Sequence, residues 1–473
     1  MRMKRVSLWL GPLLFILVNW MGEGMGWSAE ATPVLAAASW ILIWWISEAA
    51  PIAVTSLLPI VLFPLTGVLD LKSITALYGS HYVFLFMGGF LVAIALERVN
   101  LHKRLALMLL ARVGTQPARI VLGFMLATAL LSMWISNTAT TLMMLPIALS
   151  VIRSIDGSHP NFTRALLLGT AYAANIGGMS TLVGTPPNIA MAGLLAEQEG
   201  VTIGFLEWFQ LTGPLALILL IVTFFVLIGL LFPLKAIRLE AGVDWIQSSL
   251  ADLGHWRTAE KRVLFVFAGL AMAWITRGMW NDWLGGQVSD TGLAVMAGIL
   301  LFLIPAQEAE NPERKLLEWE DTEKLPWNIL LLFGGGLALA AGLKEAGILK
   351  AMVSELGQWS ELSALAVLIV IVSMSLLLTE VMSNLALTVV MVPVVAAFAV
   401  ESQLMPWVFA IPITWASSCA FMLPMATPPN AIIFGSQAFP MSAMVRSGIV
   451  LNAVAIVLIV LWAQFALPNF DFS

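Results

Sequence analysis

Apolar runs of about 20 residues, the length that crosses the hydrocarbon core of a bilayer, recur along this chain from end to end. The polar intervals between them are too short to fold as separate domains. Backbone polar groups cannot stay unpaired in lipid, so such a chain is expected to fold as one all-α polytopic unit. Composition agrees: 60% of the 473 residues are hydrophobic and 11% charged, with a mean hydropathy of +0.93, where soluble domains carry roughly a quarter charged residues. The lipid bilayer is therefore the first partner. A net charge of −5 and the lack of a basic tail speak against nucleic acid. The lone Cys419 excludes an internal disulfide; beside Ala420 and Phe421 it reads as a small packing residue.

The expected crossings are 6–23, 31–48, 51–68, 82–98, 164–193, 211–232, 263–281, 291–305, 327–343, 404–434 and 445–467, about 11 transmembrane helices. The basic start and apolar run of the N-terminus read as a first membrane helix rather than a cleaved signal peptide. With the N-terminus cytoplasmic, 19 of the 23 Lys and Arg fall in cytoplasmic segments; Lys72, Arg277, Lys344 and Lys350 fall outside. That asymmetry is the one the positive-inside rule predicts, and it puts the C-terminus on the external side. Trp40, Trp44, Trp45, Trp280 and Trp283 read as an aromatic belt at the interfaces.

Two runs, 119–152 and 362–400, are too long for one crossing and carry polar residues at their centres. Each is expected to dip into the membrane and return as a re-entrant helical hairpin. The first centre reads "SNTATT" from Ser136 and the second "SNLALT" from Ser383, 247 residues later; Pro146 and Pro393 keep the same shift. "FLFMGGFLVAIALERVNLHKRLA" from Phe84 matches "LLFGGGLALAAGLKEAGILKAMV" from Leu331 at that shift, and "GTPPN" from Gly184 pairs with "ATPPN" from Ala426 at 242. Five expected crossings separate the hairpins, an odd number, so the copies enter from opposite sides: an inverted-topology repeat. The expected organisation is an N-terminal helix in 1–30, a first repeat in 31–232, a cytoplasmic linker in 233–262 and a second repeat in 263–473.

A proline fits the first position of a helix, Thr185 and Thr427 are able to cap, and the residue before a proline is pushed from helical geometry. Segments 164–193 and 404–434 are therefore expected to be half-helices around an unwound middle, whose N–H groups attract anions and whose carbonyls hold cations. The motifs supply hydroxyls and amides with no Lys or Arg. That set suits Na⁺, and an anion whose charge is offset by bound cations and helix ends. An enzyme is disfavoured: His81, His102, His159 and His255 fall near segment ends, so no base sits beside Ser136 or Ser383, and no Cys/His cluster suggests zinc. An anion channel and a cation/proton antiporter are weaker readings, the latter for want of paired midplane Asp. Glu380, three residues before Ser383, reads either as a structural carboxylate or as a group that orients the motif or responds to protons; Glu48 reads as interfacial or capping.

"SNTATT", "SNLALT", "GTPPN" and "ATPPN" resemble the paired signature motifs of the divalent-anion/sodium symporter family over essentially the whole chain. The resemblance implies a homodimeric elevator-type transporter of the inner membrane that carries C4-dicarboxylates, 2-oxoglutarate or citrate with two or more Na⁺, some relatives being exchangers. It implies a first sodium site at Ser132, Ser136, Asn137 and the backbone of Gly184. A second would use Thr379, Asn384 and the backbones of Met382 and Ala426. Substrate carboxylates would meet Asn137, Thr138 and Asn384, with Thr185 and Thr427 nearby. One departure stands out: Leu385 occupies a place where the family often has Thr, which implies the loss of one carboxylate contact.

Overall fold

The computed structural model describes the chain apart from residues 1, 154–158, 235–239, 308–310, 312, 356–362, 471 and 473. Part of the expected linker, residue 362 of the second polar run, and the outermost residues 1 and 473 thus lie outside the described residues. Regular structure among the described residues is helical, save an isolated bridge between Pro305 and Lys315. Among the described residues, six helical segments are long and apolar enough to cross a membrane: Leu71–Arg98 (interrupted after Tyr78), Phe205–Leu231, Thr258–Trp280, Trp327–Glu345, Asn384–Glu401 and Met441–Asn469. Others, including Ala31–Ser47 and Asp290–Leu303, are apolar but shorter.

Both long polar runs divide into two helices. Pro117–Ser132 and Asn137–Arg153 flank one turn, and Ala364–Leu378 and Asn384–Glu401 flank the other. Segments 164–193 and 404–434 divide as well, into Pro160–Met179 with Pro186–Glu199 and Trp407–Ser417 with Pro428–Gly435. Each second half starts on its Thr-Pro-Pro. Thr185 and Thr427 are extended, at φ −144° and −141°, and a proline follows where a missing N–H costs nothing.

The halves are exchanged between repeats. Pro186–Glu199 packs on Asn384–Glu401, and Pro428–Gly435 packs on Asn137–Arg153. Each break therefore lies against the polar turn region of the other copy. The glycine motifs make the close approaches: a Cβ on Gly88 would stand 2.6 Å from the Ala294 carbonyl carbon, and one on Gly335 would stand 2.5 Å from Ser56 O.

Segment 51–68 departs from the expected single crossing, forming Ile52–Thr55 and Leu58–Leu65 instead. Pro59 lacks the N–H that would continue the ladder, and Tyr78 Oη donates to the Ser56 carbonyl. Short helices also form at Leu71–Tyr78, Leu101–Leu110, Glu240–Asp252 and Ile348–Glu355, where no crossing is expected. Three of the tryptophans that read as an aromatic belt also make contacts within the fold. Trp44 Nε1 donates to Ser7 O at 3.1 Å, Trp40 meets it edge-on, and Trp45 is only 3% exposed. They pack helix against helix, with Gly11 making room for Trp40 and Trp44. Trp283 is exposed.

Ion pairs among the described residues join segments that the span order puts on one side of the membrane. Lys4 meets Glu48 at 3.0 Å, Arg98 meets Glu318 and Asp321, Arg104 meets Glu260 at 3.1 Å, and Arg277 meets Asp290 at 3.0 Å. Glu48 is exposed and closes Ala31–Ser47 at its C-cap.

Candidate functional site

Each polar turn is closed by the same pair of side-chain bonds. Ser132 Oγ donates to Asn137 Oδ1 at 2.7 Å and lies 2.8 Å from Ala174 O. In the second copy Thr379 Oγ1 lies 2.8 Å from Asn384 Oδ1 and 2.9 Å from Ser417 O. A hydroxyl has one proton, so each sits in a cluster richer in acceptor oxygen than in donors. Ser132 and Thr379 are both fully buried. A second hydroxyl follows one turn into each helix: Thr141 Oγ1 donates to Asn137 O at 2.7 Å and Thr388 Oγ1 to Asn384 O at 2.9 Å.

The unwound middles are held by the asparagines that end the Thr-Pro-Pro-Asn motifs. Asn188 Nδ2 donates to the carbonyls of Gly178, Met179 and Thr181 at 3.2, 3.2 and 2.7 Å. Asn430 Nδ2 donates to Ala420 O and Leu423 O at 3.0 and 3.1 Å. Both are fully buried, and their Oδ1 atoms have no partner, as is true of Asn175 Oδ1. Unpaired acceptor oxygens are the feature a hard cation seeks and an apolar core avoids.

Of the residues singled out in the sequence, the structure pairs Ser132 with Asn137 and Thr379 with Asn384. Gly184 joins the first group: a Cβ on it would meet Gly178 O at 2.4 Å, and one on Gly178 would meet Asn137 Oδ1 at 2.3 Å. Ser136 Oγ accepts from Ala139 N at 3.2 Å and so caps its helix; Thr138, beside it, is half-buried. Thr427 Oγ1 accepts from Asn430 N at 3.4 Å and from Asn175 Nδ2 at 3.2 Å, a direct tie between the repeats. Thr185 and Ala426 are buried and Met382 is half-buried. Leu385, where the family often has Thr, packs as an apolar side chain. It is 6% exposed and lines a small apolar cleft with Phe86, Pro186, Ile189 and Phe333.

Sequence reasoning passed over Asn175, Asn188 and Asn430 as individual residues. Asn175 stands alone in the apolar run "AYAANIGG", the signal by which an intramembrane amide is found. Glu380, which the sequence leaves between a structural carboxylate and a group that orients the motif or responds to protons, is ringed by four donors. Its carboxylate accepts from the backbone N–H groups of Phe421, Met422 and Leu423 at 2.9, 2.9 and 3.0 Å and from Asn452 Nδ2 at 2.8 Å. It ties the second turn to the second break. In the first copy, Thr181 Oγ1 makes that tie by donating to Met133 O at 2.6 Å, so the repeats differ by one buried carboxylate. Buried Glu260, Asp290 and Asp321 each have an Arg; Glu380 has none among the described residues. Arg104 is the one buried Lys or Arg among the described residues, and it pairs with Glu260.

A polytopic helical bundle with duplicated, breached helices around neutral oxygen clusters defines a membrane transporter of the secondary-active class. The protein-family model for the sodium:sulfate symporter transmembrane region matches residues 4–467. Relatives called sodium-dependent dicarboxylate transporters are 40% identical in Staphylococcus saprophyticus and 39% in Staphylococcus aureus, over 98% of this chain and 91% of theirs. The chain belongs to the divalent-anion/sodium symporter family, and it is a transporter, not an enzyme. Its fold is also similar to the crystal structure of the Alcanivorax borkumensis YdaH transporter, with a TM-score of 0.53 and 13% identity, covering 84% of this chain and 90% of that one.

Proposed function

We propose that this protein is a sodium-coupled symporter of C4-dicarboxylates, with succinate, malate and fumarate as first candidates and 2-oxoglutarate and citrate as related ones. The observation that carries this reading is the twinned Ser/Thr–Asn cluster, rich in acceptor oxygen and without a cationic side chain. A dianion cannot enter such a place alone, because an uncompensated charge in a low-dielectric site costs many kcal/mol. Sodium ions supply the positive charge, one in each half.

On this reading Ser132, Ser136, Asn137 and the backbone of Gly184 hold one ion, and Thr379, Asn384 and the backbones of Met382 and Ala426 hold the other. The amides of Asn137 and Asn384 and the hydroxyl of Thr138 meet the carboxylates, with Thr185 and Thr427 close by. The relatives' description as sodium-dependent dicarboxylate transporters supports both the ion and the substrate class. The polar turns act as re-entrant tips from opposite sides, and a homodimer in the inner membrane, with the N-terminus cytoplasmic and the C-terminus external, carries the chamber across by an elevator motion.

Uptake of radiolabelled succinate into proteoliposomes tests it. Uptake into empty vesicles that needs an inward Na⁺ gradient is the expected result. Uptake that ignores Na⁺ and needs dicarboxylate trapped inside would make the protein an exchanger.

A further inference from the structure

A cavity of about 310 Å³ lies between the helices Leu101–Leu110, Pro117–Ser132 and Thr258–Trp280, beside the first polar turn. Its walls include Leu105, Leu109, Trp134 and Phe267, with His102 and Arg112 toward one end. It is an open cleft lined mostly by apolar side chains, and such a cleft takes an apolar guest in preference to water. Two apolar residues of its lining, Leu109 and Leu130, are exposed at 36% and 45%.

The charge at its mouth chooses the guest. Residues 98–119 hold five cations. Arg98 is engaged by Glu318 and Asp321, and Arg104 by Glu260. Lys103, Arg112 and Arg119 are exposed and have no acidic partner among the described residues. Burial pushes His102 toward its neutral form, and its Nδ1 lies 3.2 Å from Leu96 O.

We propose that this cavity binds an anionic phospholipid, one acyl chain against Leu105, Leu109 and Phe267 and the phosphate on Arg112. The segment lies among the basic loops, and the leaflet facing such loops is the one rich in acidic lipid. Trp134 and Ile135 line the far wall immediately before Ser136, and Trp134 meets Phe267 edge-on at 4.8 Å. The bound chain therefore braces the first polar turn against Thr258–Trp280.

The test is native mass spectrometry of the delipidated full-length protein titrated with dioleoyl phosphatidylglycerol or dioleoyl phosphatidylcholine. One phosphatidylglycerol per chain, retained in preference to phosphatidylcholine, is expected. Arg112→Ala weakens phosphatidylglycerol about fivefold and leaves phosphatidylcholine unchanged, the share of one cation at a lipid surface. Leu109→Trp, which fills the cavity, weakens both. Equal retention of the two lipids by the parent chain overturns the proposal, as does phosphatidylglycerol binding that Arg112→Ala leaves untouched. The arginine variant leaves the cavity walls intact, so the test stands even where the tryptophan variant fails to fold.

Discussion

Glu380 and Asn452 meet at 2.8 Å, Nδ2 to Oε1, in a contact buried on both sides, and three backbone N–H groups complete the ring around the same carboxylate. The carboxylate has no cationic partner among the described residues, so these four hydrogen bonds are what hold it. Glu380→Gln keeps the shape but turns one acceptor into a donor facing N–H groups. Each buried N–H left without an acceptor costs about 1–3 kcal/mol. The expected outcome is a clearly lower unfolding temperature and Na⁺-driven uptake reduced at least tenfold, whereas Asn452→Ala, which removes one donor of four, has a smaller effect on both. A Glu380→Gln protein that matched the parent in both measurements would show the carboxylate to be dispensable.

Ser132 and Thr379 make equivalent bonds in the two copies, and the proposed symport needs both. Ser132→Ala and Thr379→Val each remove one hydroxyl oxygen from a buried cluster, a loss of about 1–2 kcal/mol. The Na⁺ concentration for half-maximal uptake is expected to rise about five- to thirtyfold in each variant. Measuring succinate uptake across a Na⁺ series decides it, and an unchanged Na⁺ dependence in both variants would remove these hydroxyls from the ion sites.

Leu385 offers a contrast between family expectation and packing. Restoring the hydroxyl with Leu385→Thr would seem to return a carboxylate contact, yet the side chain is buried among Phe86, Ile189 and Phe333. The substitution deletes apolar volume and buries a hydroxyl without a visible acceptor, a loss of about 2–4 kcal/mol. Lower thermal stability with no gain in substrate affinity is the expected result. A tighter apparent affinity for succinate would mean that this side chain faces the substrate after all.

Much of the site was legible because its elements are local in sequence. The Ser-Asn and Thr-Pro-Pro-Asn motifs announce themselves as polar residues and prolines inside apolar runs, and the helix starts at Pro186 and Pro428 follow from proline geometry alone. What stayed hidden depends on distant partners. Glu380 is a lone acid in the sequence, and its meaning comes from N–H groups some forty residues later and from Asn452. The same holds for Asn175, which reaches Thr427 in the other repeat. The break at Ser56 is settled by Tyr78 and Gly335, and the burial of Trp45 is not written in its own segment. Hydropathy reports that a segment is apolar; it does not report which apolar neighbour covers it.

Gly178 supplies the sharpest steric test of the first cluster. A Cβ built there would lie 2.3 Å from Asn137 Oδ1, closer than any real contact, while position 420, its counterpart 242 residues on, carries an alanine without difficulty. Gly178→Ala must push the Asn137 amide from Ser132 or move the Pro160–Met179 helix, a strain of about 1–3 kcal/mol. The matched control is Gly269→Ala in Thr258–Trp280, where nothing lies within 4 Å of the new methyl and a helical glycine-to-alanine change is neutral or favourable. Uptake is expected to fall at least tenfold for the first variant and to stay at parent level for the second, with both proteins present in the membrane in equal amount. Parent-level uptake by Gly178→Ala would mean that the Ser132–Asn137 contact is not required for transport.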